Sequence, residues 1–454
     1  MESTHEHETN TSSTERLIEY EILGLYGLYN HKITLNHTDG VTIVHGPNGV
    51  GKTALLKSIS NLFNCDYDSL ASIPFSQINA RLSSGWEIVV KRAGASTAQL
   101  VRRKNISHRI EVEIKKDKKT HASHNFSEDA PVGGRIPPWY NRIAPGVWFD
   151  ERTGEEVGPD ELDVFFHRPN RSKEKRRNIE SITAILKTVS VHLVETNRLY
   201  KPIQANEWNK KGTKLVSAVN DCAAKLANNI GTALKDYGKQ SQELDQSFPH
   251  RFITKSAKPL ELPDLKNRLT ELAKQLENLK NLGILDSENF QSFNIQVLDH
   301  VEPQKLEIMS LYVEDSEEKL KAFESLADRT ELLLSSLKAK FKNKKILLSK
   351  DRGLYAEGPG DLEIPLDSLS SGEQHEIVLL YELLFKVSKN TLVLIDEPEL
   401  SLHVNWQKAF LPELLSISKV SDFYSIIATH SPFIVGGRDD LMTALDASAD
   451  ESVE

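Results

Sequence analysis

The chain has 454 residues, 39% of them hydrophobic and 27% charged, with a formal net charge of −9 at pH 7. That length and mix describe a globular protein of two or three domains and exclude a disordered chain. No stretch reaches the roughly 20 apolar residues that cross a bilayer, which excludes a membrane-spanning subunit, and the acidic balance gives no overall nucleic-acid signature.

In chain order, Met1 to Thr14 is polar and lacks the apolar run of a secretory signal. His5 and His7 have no partner cluster, so the segment reads as a frayed tail rather than a metal site. Leu17 to Leu23 and His31 to Leu35 read as strands separated by the turn-prone Gly24, Gly27 and Asn30. Val41 to Val44 reads as a short buried strand that runs through a glycine-rich turn into a helix over Lys52 to Leu62. Trp86 to Lys91 and Arg109 to Ile114 follow as strands; in the second, Ile110, Val112 and Ile114 alternate with polar residues until Lys115 and Lys116 end the pattern.

From Lys119 to Arg171 the chain is irregular, with several prolines and glycines, and reads as long loops or a small subdomain. The texture then changes to a Lys/Glu/Leu-rich one over 172–345, with helical spacing at Leu265, Leu269, Leu272, Leu276 and Leu279 and again at Leu320, Phe323 and Leu326. It predicts an arm or lobe of helices roughly 40 Å long at about 1.5 Å per residue, without a sustained heptad. Alternating α/β texture returns at Lys345 and continues to Met442, and the acidic residues after it read as a disordered tail. Only Cys65 and Cys222 occur, far apart and outside any CxxC pair, which points to a reducing, cytoplasmic setting and away from zinc or disulfides.

Four stretches bear chemistry. Gly46-Pro47-Asn48-Gly49-Val50-Gly51-Lys52-Thr53 fits GxxxxGK[ST] between a strand and a helix, the context in which backbone N–H groups and a helix N-terminus hold phosphate. Lys52 can reach the β/γ-phosphates of ATP and Thr53 can ligate Mg²⁺. Thr391 to Ile395 is an aliphatic run suited to a buried parallel strand, and it delivers Asp396 and Glu397 at its C-terminal end. Asp396 is the candidate Mg²⁺ partner and Glu397 the candidate for orienting or deprotonating the attacking water. Leu369-Ser370-Ser371-Gly372-Glu373-Gln374 starts an apolar helical pattern; it reads equally as a capping box and as a second phosphate-binding helix N-terminus. Ser425 to Thr429 is another buried-type strand, and it ends at His430. A lone histidine there reads as structural, but its place after the Asp-Glu pair makes it a catalytic candidate beside Lys52 and Glu397.

The order of these four stretches resembles the P-loop, signature, Walker B and switch histidine of ABC ATPases, over roughly residues 17 to 115 and 345 to 440. The resemblance implies an α/β fold, a two-lobed P-loop NTPase head with mixed and parallel sheets and a large helical insertion. It implies a head-to-head dimer or a larger oligomer in which Ser370, Ser371, Gly372 and Glu373 of one copy complete the ATP site of the other. Ser371 stands where the family usually has glycine. Asn197, in Glu195-Thr196-Asn197-Arg198-Leu199, stands in the Q-loop region where a glutamine is the family's residue, and Gln77 is a second candidate. Ser401 to His403 occupy the place of the D-loop.

The length of the insert is similar to the SMC, Rad-type and OLD-like branch. Leu25-Tyr26-Gly27, Leu369–Gln374 and Glu399–Gln407 resemble anti-phage ATPases of the Septu and PARIS systems. That likeness implies a cytoplasmic sensor or engine controlling a separate nuclease or toxin, since the chain ends too soon after His430 for a fused TOPRIM nuclease. The alternative is a RecF- or SMC-like ATPase acting directly on DNA. Arg171, Lys173, Lys175, Arg176 and Arg177 are candidates for phosphate contacts, or a solvated helix face beside Glu174. The expected division is a tail at 1–14, an N-terminal ATPase lobe at 15–171, a helical insertion at 172–345, a C-terminal ATPase lobe at 346–442 and an acidic tail at 443–454.

Overall fold

The computed structural model describes residues 15–92, 110–126, 140–144, 147–150, 155–157, 173–195, 199–203, 214–254, 260–286, 303–400 and 402–445. The chain falls into two compact units, Met1–Thr196 with Val387–Glu454, and Asn197–Lys386.

The first unit opens with β1 (Leu17–Leu25), β2 (Tyr29–Thr34), β3 (Val41–His45), α1 (Lys52–Phe63), α2 (Tyr67–Ser72), β4 (Gln77–Leu82), β5 (Glu87–Arg92), β6 (Ile110–Lys116) and β7 (Lys119–Phe126). Strands β2-β1-β4-β5-β6-β7 form one six-stranded antiparallel sheet. Ile78, Ala80 and Leu82 of β4, Ile88 and Val90 of β5, and Ile110, Val112 and Ile114 of β6 alternate inward, the pattern of a sheet with one covered face.

Within the Lys119 to Arg171 stretch, expected to be long loops or a small subdomain, Lys119–Phe126 is a strand. Asp117 and Lys118 both take positive φ, 52° and 63°, and Lys116 pairs with Lys119 across them. Two left-handed central residues make the hairpin turn whose twist suits antiparallel strands, usually signalled by Asn-Gly or Asp-Gly. Asp-Lys hides that signal, and Ala122 is the only buried residue of β7, so apolar alternation is missing too. Three further strands lie in the same stretch: β8 (Tyr140–Ala144), β9 (Val147–Asp150) and β10 (Glu155–Val157), an antiparallel sheet in the order β10-β9-β8. The unit continues with α3 (Lys173–Leu186) and β11 (Val191–Val194).

The second unit holds the hairpin β12 (Tyr200–Ile203) and β13 (Lys214–Ser217), then α4 (Ala218–Thr254), α5 (Leu262–Asn281) and α6 (Pro303–Lys340). Helices α4 and α6, of 37 and 38 residues, are about 55 Å long at roughly 1.5 Å per residue, longer than the expected 40 Å. Arg251 of α4 grips Asp315 of α6, with 2.7 Å between Nη2 and Oδ2, and Arg268 of α5 grips Glu317 of α6, with 2.8 Å between Nε and Oε1. After α6 come β14 (Lys345–Ser349), β15 (Gly353–Glu357), β16 (Glu363–Ile364) and α7 (Ser371–Tyr381), which runs on into a π-helical turn at Glu382–Lys386.

The units thus divide elsewhere than at 171 and 345. Ile182 and Leu186 of α3 join the core of the first unit, and β11 pairs with a strand of its parallel sheet, so both stay there. The β14–β15 hairpin stays with α4: Gly353 lies so close that a Cβ would come within 1.8 Å of Ala223 O.

Two ion pairs tie the end of α6 to α7, Lys340–Glu376 and Lys344–Glu373. The first is buried, with 7% and 1% of the two side chains exposed. Lys340→Met leaves the Glu376 charge buried without its ammonium and is expected to cost about 3–5 kcal/mol, seen as a lower denaturation midpoint. Lys340→Met with Glu376→Leu removes both charges and is expected to restore most of the loss. A single variant as stable as the wild type would show that the pair does not hold α7.

The chain returns to the first unit with β17 (Leu392–Asp396), α8 (Val404–Ser421), β18 (Tyr424–Thr429), α9 (Pro432–Val435) and β19 (Met442–Ala444). The order β11-β17-β18-β3-β19 makes a five-stranded, wholly parallel sheet. Every residue of β17 and β18 is buried, as their aliphatic runs predict. β19 corrects the expectation of a tail from 443: Thr443 and Ala444 pair with β3, and Leu445 is buried. Leu55, Leu56, Ile59 and Leu62 of α1 join residues of both large sheets in one core. Among the described residues no helix is long and apolar enough to cross a membrane.

Candidate functional site

β3 ends at His45 and delivers the chain into the loop Gly46 to Gly51, at the C-terminal edge of the parallel sheet. Gly49 and Gly51 turn the loop with φ of 84° and 96°. At Gly51 that φ strains any side chain, and a Cβ would lie 2.6 Å from Leu25 Cδ2, which would have to shift. Gly51 caps α1 without a side-chain hydrogen bond, and no acid lies in the first turn. The first N–H groups of the helix and its positive dipole end are therefore left for an anion.

Lys52 is buried, and its Nζ donates to Gly46 O at 2.9 Å and Pro47 O at 3.1 Å. It also meets the His430 ring, 3.3 Å from Nδ1 and closer to Nε2. Burial holds the Lys52 amine below the ordinary lysine range, and the charges of Glu397, Asp396 and Glu399 oppose that fall.

Thr53 Oγ1 donates to both oxygens of Asp396, at 3.0 Å to Oδ2 and 3.2 Å to Oδ1. A hydroxyl and a carboxylate side by side are hard oxygen ligands and fit Mg²⁺. Among the described residues no group of three or more His, Cys, Asp or Glu is placed to hold a metal. An ion here would draw its remaining ligands from phosphate and water, the usual habit of Mg²⁺.

Glu397 leaves the sheet with φ 46°, left-handed for a residue that has a Cβ, at a cost of about 1–2 kcal/mol. Its N–H donates to Ala428 O at 2.9 Å, so β18 holds it in that conformation. β18 lies between β3 and β17, and therefore His430 emerges between the loop of β3 and the acids of β17.

Two neighbours of this group were given no role by the sequence. His31 Nε2 lies 2.7 Å from Val50 O and ties β2 to the loop, and no pattern in the sequence marks it. Glu399 Oε1 accepts the His430 N–H at 2.8 Å. A third acid so soon after Asp396 and Glu397 was the available signal for it.

The structure thus brings Lys52 against His430 and Thr53 against Asp396, with Glu397 next to Asp396. Ser370, Ser371, Gly372 and Glu373 belong to the second unit. Ser370 caps α7 in a closed capping box: its N–H and its hydroxyl each lie 2.8 Å from Glu373 Oε2, and its Oγ accepts from Glu373 N–H at 3.4 Å. Glu373 is held below the usual carboxylate range, where its hydrogen bonds to Lys344 and Ser370 outweigh burial. Ser370 and Ser371 are exposed, whereas α7 from Gln374 onward is buried. Gln77 opens β4 and donates to Asn79. Asn197 and Ser401, like residues 1–14 and Arg171, lie outside the described residues.

A family model described as an AAA ATPase domain matches residues 26–435. The solved head domain of SMC with an extended coiled coil, bound to the C-terminal domain of ScpA, from Pyrococcus furiosus is 12% identical, covering 96% of this chain and 94% of that chain, with a TM-score of 0.36. The SMC head domain from Thermotoga maritima is 11% identical, covering 94% of each chain, with a TM-score of 0.29. No curated protein matches the chain.

Proposed function

The chain belongs to the AAA ATPase domain family and is an ATPase, and we propose that it turns over ATP in two composite sites formed by two copies meeting head to head. The observation that carries this reading is the convergence of Lys52, Thr53, Asp396 and His430 at one edge of the parallel sheet. The loop amides and Lys52 bind the β/γ-phosphates, and Lys52 exchanges Gly46 O and Pro47 O for phosphate oxygens. Thr53 and Asp396 hold Mg²⁺, which when bound neutralises phosphate charge. Glu397 takes the proton of the attacking water, and His430 stands against the phosphate end of the site.

The partner copy supplies Ser370. The exposed start of α7 is the support for this part, because it offers a hydroxyl and helix N–H groups while the rest of the helix is buried. Ser370→Arg is expected to block hydrolysis while leaving ATP binding by one chain intact. Mixed with Lys52→Ala protein, it is expected to regain partial activity, because pairing can place both lesions in one site and leave the other whole. Loss of ATP binding in Ser370→Arg, or no recovery in mixtures shown to exchange subunits, excludes the head-to-head arrangement.

The finer reading is a cytoplasmic engine or sensor of a bacterial anti-phage complex that controls a separate nuclease or toxin. Its support is the likeness of Leu25–Gly27, Leu369–Gln374 and Glu399–Gln407 to such ATPases. Cells given the gene with its neighbours are expected to resist phage, and Lys52→Ala to remove the resistance; equal plaque counts throughout exclude the reading. The exposed Lys175, Arg176 and Arg177 at the start of α3 favour a second reading, direct action on DNA, although Arg176 already pairs with Glu180.

A further inference from the structure

The stretch Glu399 to Gln407 has no step in the mechanism above, yet its side chains hold the residues that follow β18. Glu399 Oε1 accepts the His430 N–H at 2.8 Å, a link between positions 31 residues apart. Gln407, in the first turn of α8, accepts the Ser431 hydroxyl proton at 2.7 Å through Oε1 and donates from Nε2 to Leu402 O at 3.0 Å. Two consecutive residues, His430 and Ser431, are thus held by two side chains of one segment.

The other oxygen of Glu399, Oε2, is buried and has no hydrogen-bond partner among the described residues. A carboxylate oxygen kept from water without a donor is unfavourable, so stability alone does not explain an acid at this position. What its partnered oxygen does achieve is geometric. It fixes the peptide that bears the His430 ring, and that ring lies against Lys52.

We propose that Glu399 and Gln407 are positioning residues of the ATPase site, which together pin the His430–Ser431 peptide so that the His430 ring stands at Lys52. The proposal rests on the role given to His430 above. Neither residue touches the reacting atoms; each acts through the residue that it holds.

The role needs a hydrogen-bond acceptor rather than a charge. Glu399→Ala is therefore expected to lower kcat about tenfold, the upper end of what one well-made hydrogen bond is worth, with KM changed by less than about threefold. Glu399→Gln keeps an acceptor oxygen and is expected to restore most of the turnover. Gln407→Ala, which releases Ser431 and leaves the carboxylate in place, is expected to give the same split at about threefold. Because Glu399 acts through His430, Glu399→Ala added to His430→Ala is expected to cost nothing further.

Full turnover in Glu399→Ala, no rescue by Glu399→Gln, or losses that add to those of His430→Ala each overturn the proposal. Failure of the underlying reading looks different. If His430→Ala turns over like the wild type while Lys52→Ala is inactive, the role of His430 falls and the proposal falls with it. If His430→Ala is impaired and Glu399→Ala is not, the proposal alone is overturned.

Discussion

Lys52→Ala is expected to abolish ATP turnover, with kcat/KM down on the order of 10³-fold or more, the scale of removing a preorganised charge from phosphoryl transfer. The ammonium is the only cation within hydrogen-bonding reach of the loop carbonyls Gly46 O and Pro47 O among the described contacts. It is buried, so its charge acts through little water, and the charges of Glu397, Asp396 and Glu399 oppose the fall that burial causes. Alanine removes that charge and also the two ties to the loop, so the loss should appear in ATP affinity as well as in turnover. Isothermal titration with ATP and a steady-state phosphate assay read the two separately. A comparison of thermal midpoints with the wild type separates lost chemistry from lost folding. Affinity and turnover both within about twofold of the wild type would exclude Lys52 from phosphate binding.

Glu397→Gln is expected to retain ATP binding and to hydrolyse it at least about 10²-fold more slowly, because an amide cannot accept the water's proton. The substitution keeps size and shape and therefore leaves the left-handed backbone at φ 46° and the bond to Ala428 O undisturbed. Single-turnover measurements are the right readout, since they report chemistry apart from product release. Glu397→Gly makes a useful companion: it relieves about 1–2 kcal/mol of backbone strain and should also be slow. A stable but inactive Glu397→Gly together with a slow Glu397→Gln would show that the strained conformation serves to aim the carboxylate. Turnover of Glu397→Gln within about twofold of the wild type assigns the proton to another group.

Much of the first unit was legible before its tertiary structure. The strand over Val41 to Val44, the glycine loop and the helix from Lys52 lie where the pattern placed them, because each depends on neighbours in sequence. Gly51 needs its positive φ, α1 needs a start, and Val41, Ile43 and Val44 need cover on both faces. The same holds for β17 and β18, whose aliphatic runs announce buried parallel strands. The stretch after Lys116 was not legible, since a turn of Asp117 and Lys118 lacks the usual glycine and β7 shows a single buried side chain. The last strand among the described residues was hidden as well: Met442–Ala444 is short, is followed by an acidic stretch of sequence and becomes a strand only by pairing with β3.

The sequence by itself determined the chemistry that is local: a phosphate-binding loop, a strand ending in two carboxylates, a capped helix and a histidine after a strand. Which of these groups touch was decided by the tertiary structure. Lys52 and His430 are separated by 378 positions, and Thr53 and Asp396 by 343. They meet because β18 lies between β3 and β17. The buried side chains of the three strands are mostly aliphatic, Val41, Ile43 and Val44 on β3, Leu392 to Ile395 on β17 and Ile426 to Ala428 on β18, and such side chains suit one neighbouring strand as well as another. Local pattern therefore specifies that each strand is buried but not which strand lies beside it; the packing of the whole sheet over α1 settles that, and with it the contacts of Lys52, Glu399 and His430.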